Sequence, residues 1–217
     1  MGACSVGNGS PGNFPAGRAP DGAVTQVHGR LPLRILLLTS GGIHGAIVLT
    51  ALRSMPEVRL VGMVVSSRVN RPSQSDIAGA WTLIRQCGWR YALYLWTSTR
   101  LADVIFGITA SASVVAQARR DGIPWLRERR VNNPETRGWL RDREADLILC
   151  AFFNQRVAEE TCATARFGAV NIHPGPLPAF KGVDPVFHAA LRGAAEVGVT
   201  LHRVIPDFDI GPVLGSR

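Results

Sequence analysis

The sequence predicts an α/β fold, a Rossmann-like and mostly parallel sheet flanked by helices. Three observations predict it. An apolar run passes through a glycine loop into a helical pattern, a second apolar run follows that helix directly, and strand and helix patterns then alternate down to residue 173. A chain of 217 residues has room for one sizeable core, so one main domain is expected over 31–217.

Taken in order, residues 1–30 are rich in Gly, Pro, Ser, Asn and Ala and read as a flexible tail. They lack the charged start and apolar stretch of a secretory signal, which makes a cytoplasmic location the expectation. Leu33 to Thr39 is a short apolar run suited to a strand buried on both faces. Ser40-Gly41-Gly42-Ile43-His44-Gly45 follows, then an Ala/Leu-rich helix to about Met55, and Val58 to Ser66 completes a βαβ unit. From about 73 to 107 the pattern turns aromatic and helical, with Trp81, Trp89, Tyr91, Tyr94, Trp96 and Phe106 among Arg85, Arg90 and Arg100. This insertion is expected to pack as amphipathic helices, with a lid or partner-binding role as the alternative. Helices are expected at 112–120, 134–143 and 155–165, a short strand-like step at Ile123 to Trp125, and buried strands at 145–153 and 167–173.

Composition bounds the function. Hydrophobic residues are 46% and charged residues 18%, and no run approaches the length of a membrane span. Cys4, Cys87, Cys150 and Cys162 show no paired or metal-ligand spacing and read as reduced thiols. The net charge of +8 suits an acidic partner, but Lys181 is the only lysine, a skew that base composition of the coding sequence would also produce. Nucleic acid is therefore a possible partner and not the favoured one.

The chemistry concentrates near the end. Asn171 and His173 stand two apart on a strand, so both point to one side, and Pro174 and Pro176 then stop the ladder. Ligand clefts of open α/β sheets lie at such carboxyl ends. Thr200 and His202 repeat the two-residue spacing on another expected strand, and Asp209 follows.

Asn171-Ile172-His173-Pro174, Leu177-Pro178, Lys181-Gly182, Gly198-Val199-Thr200, His202 and Asp209-Ile210-Gly211 resemble, in order and spacing, the signature of folate-dependent formyltransferases of the glycinamide-ribonucleotide and methionyl-tRNA type. The block spans 145–214, with Gly175 where serine is usual. The resemblance implies the formyltransferase catalytic-domain type of fold, 10-formyltetrahydrofolate as co-substrate, and Asn171, His173 and Asp209 as catalytic residues. Transfer of a formyl group from a folate nitrogen to an amine passes through a tetrahedral oxyanion. Asn171 and His173 supply donors to it, and Asp209 stabilises the imidazolium and guides a proton-carrying water; neither metal nor covalent nucleophile is required. By the same resemblance Thr200 and His202 support the carboxylate, and Cys150, Phe152, Phe153 and Asn154 belong to the segment whose backbone clasps the pterin ring. The loop of Ser40, Gly41, Gly42 and His44 opens a helix and reads as either an anion site of the substrate or a tight turn, with His44 lining the cleft. His188 reads as helical and peripheral.

The chain stops soon after Asp209-Ile210-Gly211-Pro212, without the tRNA-binding domain of methionyl-tRNA formyltransferases. A small-molecule amine is therefore the expected acceptor and methionyl-tRNA the less favoured one. A formyltetrahydrofolate hydrolase and a non-catalytic folate- or nucleotide-binding relative are the rival readings. The sequence leaves the oligomeric state open.

Overall fold

A computed structural model of the chain describes residues 31–67, 81, 84–85, 88–97, 114–182, 185–194 and 197–217. The expected tail at 1–30 and most of the aromatic insertion lie outside the described residues, as do Cys4 and Cys87. Seven strands are described: β1 (Leu33–Thr39), β2 (Val58–Ser66), β3 (Trp125–Glu128), β4 (Leu147–Ala151), β5 (Ala169–His173), β6 (Thr200–Arg203) and β7 (Val213–Ser216). They form one sheet in the order β3-β2-β1-β4-β5-β6-β7. The first five strands in this order run parallel, and β6 and β7 are antiparallel to their neighbours. The sheet is therefore the mostly parallel one that the alternating pattern predicts.

Side chains alternate across it. Ile35 and Leu37 of β1 face a core with Leu49 and Leu52 of α1 (Gly42–Arg53). Leu36 and Leu38 face the opposite core. Burial on both faces explains why β1, β2 and β4 read as continuous apolar runs instead of alternating ones. The remaining described helices are α2 (Trp89–Trp96), α3 (Val114–Arg120), α4 (Pro134–Arg141), α5 (Glu159–Cys162) and α6 (Pro185–Leu191). Val114 and Ala118 of α3 join the first core, and Leu140 of α4 joins the second.

Two expectations need correction. The helix expected at 155–165 is the single turn α5, because residues 155–158 are engaged by partners distant in the chain. The Gln155 side chain accepts from the Val131 N–H at 2.9 Å, the Arg156 carbonyl accepts from Asn132 Nδ2 at 2.8 Å, and Asn132 Oδ1 accepts from the Ala158 N–H at 2.9 Å. The strand expected at 145–153 is shorter, since Phe152 takes a left-handed backbone (φ 52°) that ends the ladder after Ala151.

Candidate active site

The antiparallel register of β5 and β6 sets Asn171 opposite His202 and His173 opposite Thr200. Two-residue spacing on both strands then places all four side chains on one face, at the carboxyl end of β5. His173 and His202 are each 3% exposed and Thr200 is 1% exposed. Asp209, from the β6–β7 connection, leans into this array with its side chain 11% exposed. Its Oδ1 lies 3.5 Å from His173 Nδ1 and 3.4 Å from His202 Nε2, and its Oδ2 accepts from the Gly182 N–H at 2.9 Å. Like Phe152, Asp209 has a left-handed backbone (φ 54°), a conformation that costs on the order of 1–3 kcal/mol when held by its surroundings.

The hydrogen-bond partners fix part of the proton inventory. A main-chain carbonyl only accepts, so His173 Nε2, 2.6 Å from the Phe180 carbonyl oxygen, carries a hydrogen. His202 Nδ1, 3.0 Å from the Arg203 carbonyl oxygen, carries one for the same reason. The ring edges that remain, Nδ1 of His173 and Nε2 of His202, both face Asp209 Oδ1. Asn171 Nδ2 lies 3.1 Å from that same Nε2. Phe180 thus occupies the Nε2 edge of His173, which leaves Nδ1 as its remaining ring nitrogen.

Glycines and a threonine hold the frame. A Cβ at Gly211 would collide with the Arg203 carbonyl oxygen, the group that fixes His202, so the third position of Asp209-Ile210-Gly211 has no room for a side chain. Gly175 has a similar reason: a Cβ there would come within 2.7 Å of the Pro185 ring. Thr200 Oγ1 donates to the Gly175 carbonyl at 2.8 Å and accepts from the Leu177 N–H at 3.1 Å, pinning the proline-rich loop to β6.

A second set of sequence candidates meets between β1 and β4, where the strand order reverses direction and open α/β sheets form their crevice. His44, in the first turn of α1, stacks on Phe152 with ring centroids 4.5 Å apart. The Ser40 N–H donates to the Phe152 carbonyl at 2.9 Å, and the Asn154 N–H donates to Ser40 Oγ at 3.0 Å. The glycine loop and the 152–154 segment are thereby tied together. The Phe152 carbonyl and Asn154 N–H thus have Ser40 as partner, leaving Phe153 as the part of the segment that Ser40 does not hold. Gly41 donates its N–H to Thr39 Oγ1 at 3.2 Å, and the helix starts at Gly42. Cys150 presents its side chain to the core and not to the crevice. His188 lies in α6 and is exposed.

Sequence reading missed Ser66 and Gln155, both buried. Gln155 Nε2 donates to Ser66 Oγ at 2.7 Å and to the Glu128 carbonyl at 3.1 Å, joining the carboxyl ends of β2, β3 and β4 beneath the crevice. No local pattern signals this, because the partners are 89 and 27 positions away. Cys150 and Cys162 are free thiols; burial pushes the Cys150 thiol far up and the Cys162 thiol up to about 11, so neither is a thiolate at neutral pH.

A family model described as "Formyl transferase" matches residues 102–216. Among curated proteins, the methionyl-tRNA formyltransferase of Acidothermus cellulolyticus is 40% identical over 111 residues, covering 51% of this chain and 34% of that protein. That of Methylococcus capsulatus is 36% identical over 108 residues, covering 50% and 35%. The chain thus spans about a third of the length of these relatives. Among solved structures, glycinamide ribonucleotide transformylase 1 from Geobacillus kaustophilus superposes with a TM-score of 0.54 at 24% identity, covering 86% of this chain and 82% of that one. A formyltetrahydrofolate deformylase from Pseudomonas syringae gives 0.55 at 18%, covering 86% and 51%. These superpositions show a shared fold.

Proposed function

Because this chain belongs to the formyl transferase family, we propose that it transfers a formyl group from 10-formyltetrahydrofolate to an amine, with Asn171, His173 and Asp209 as the reacting residues. The observation that carries the reading is the convergence of Asn171, His173 and Asp209 at one buried strand end, with Asp209 Oδ1 3.5 Å from His173 Nδ1. Attack of the amine on the formyl carbon forms a C–N bond and places negative charge on the formyl oxygen. Donors set in advance around that oxygen lower the barrier more than they stabilise the substrate. The Asn171 amide and the Nδ1–H of a protonated His173 are those donors. Asp209 stabilises the imidazolium and, through a water, takes the amine proton toward the departing folate nitrogen. The folate enters at the carboxyl ends of β4 and β5, with its pterin against the main chain of the 152–154 segment. The loop of Ser40, Gly41, Gly42 and His44 receives an anionic part of the acceptor at the start of α1.

A small-molecule amine is the first acceptor to test. Methionyl-tRNA is the second, favoured by what the curated relatives are called. The test follows labelled formyl from 10-formyltetrahydrofolate onto a panel of small amines, including glycinamide ribonucleotide and amino sugars on nucleotides, onto methionyl-tRNA, and into free formate. Transfer to any amine that Asp209→Asn abolishes supports the reading. Release of formate alone would assign water as the acceptor, and saturable folate binding with no turnover would leave a binding protein.

A further inference from the structure

His202 Nε2 faces Asp209 Oδ1 at 3.4 Å, but it lies nearer to Asn171 Nδ2, at 3.1 Å. Since His202 Nδ1 already donates to the Arg203 carbonyl, Nε2 can accept that amide hydrogen only while the ring is neutral. In this arrangement Asn171 Oδ1 is the end of the amide left for the cleft, and no described residue donates to it. An oxygen is the wrong atom to meet a developing oxyanion. A second proton on His202 reverses the preference: Nε2–H becomes a donor, two N–H groups then face each other, and turning the amide about its last side-chain bond restores a hydrogen bond through Oδ1. The two ends of an amide have nearly the same shape, so the turn costs little packing.

We propose that His202 is a positioning residue whose second proton turns the Asn171 amide, so that Nδ2 faces the cleft only when His202 is doubly protonated. Asp209 and His173 are the titratable groups set against His202, Asp209 from the β6–β7 connection at 3.4 Å and His173 from β5 with ring centroids 6.3 Å apart. Thr200 and Gly211 carry no titratable group, and Arg203 is exposed. The consequence for catalysis rests on the formyl-transfer reading; the coupling between the two side chains does not.

The deciding experiment needs no substrate. Full-length protein carrying 15N-asparagine and 15N-histidine is titrated from about pH 5 to about pH 9, the range in which histidines change charge, while the Asn171 amide and both imidazoles are followed by NMR. The expected result is that the Asn171 Nδ2 signal shifts with the His202 midpoint, keeps following His202 in Asp209→Asn, and stops titrating in His202→Gln. An amide that follows His173, or that stays constant while His202 titrates or fails to titrate, overturns the proposal. The wild-type titration decides the matter even if His202→Gln does not fold. Where turnover is measurable, most of the kcat lost in His202→Gln should be absent when the substitution is made in Asn171→Ala. Losses that add independently would overturn the catalytic consequence while leaving the formyl-transfer reading intact.

Discussion

Asp209 concentrates three demands on one carboxylate: a left-handed backbone, a hydrogen bond from the Gly182 N–H, and two imidazoles at its Oδ1. An amide in its place keeps the shape and the Gly182 bond but removes the charge that would stabilise protonated His173. Asp209→Asn should therefore fold normally, bind 10-formyltetrahydrofolate with little change and lose turnover by about a hundredfold or more, checked by steady-state kinetics beside calorimetric folate binding. Two positions away, Gly211→Ala acts through sterics. Its new methyl group meets the Arg203 carbonyl oxygen, which holds His202 Nδ1, so the variant should be destabilised by about 1–3 kcal/mol in urea unfolding and should disturb the histidine signals. A variant as stable as the parent would show that β6 can move away without cost. That Asn171 shares a face with His173, and Thr200 with His202, was legible in the sequence, because two-residue spacing on strands puts side chains on one face; Asp209 was singled out only through the resemblance carried by Asp209-Ile210-Gly211. That Asn171 meets His202 was not legible, because cross-strand register links positions 31 apart that no local pattern connects.

Elements were legible where burial alone determines them. The runs Leu33–Thr39 and Val58–Ser66 are buried strands that announce themselves by apolar content, whereas α5 was overextended because Gln155 and Asn132 contribute through side chains paired at long range. The connection between β3 and α4 is held in this hidden way too. Glu128 Oε1 accepts from the Arg129 and Arg130 N–H groups at 2.6 and 2.8 Å, and Oε2 accepts from Thr136 Oγ1 at 3.1 Å. Burial by itself would raise the carboxyl pKa, but bonds from Arg130, Thr136, Arg129 and Asn133 outweigh it and leave the value lowered. A group lowered on folding contributes stability that is fully present above its unfolded pKa and is lost as the pH falls through its folded one. Glu128→Gln should therefore lower the urea midpoint at neutral pH, and the gap between variant and parent should close as the pH drops below about 4.5. A gap of the same size at acid and neutral pH would mean that shape, and not charge, holds this turn.

At the scale of the whole molecule, the sheet seals some groups and presents others. Cys150 is 4% exposed between β1 and β5, with its thiol pushed far up by burial, so an alkylating reagent should reach it only through global opening. Peptide-resolved labelling should then show the Cys150 rate rising in step with denaturant-induced unfolding; rapid labelling in native buffer would reveal a local opening of β4. Charge is presented instead of sealed. Among the arginines behind the net +8, Arg130 follows β3 and Arg156 follows β4, both exposed on the carboxyl side of the sheet where the crevice lies. A polyanionic acceptor would release counterions on meeting such groups, and its affinity would fall steeply with salt. A small uncharged amine would feel little of this, because the Debye length already limits surface fields at physiological ionic strength. If methionyl-tRNA is the acceptor, its KM should rise about tenfold or more between about 50 and about 200 mM salt, and Arg130→Ala with Arg156→Ala should flatten that slope while leaving the folate KM unchanged. Should turnover instead be confined to a small amine whose KM is flat in salt and in the double variant, the excess charge has no part in acceptor recognition and the crevice alone makes the selection.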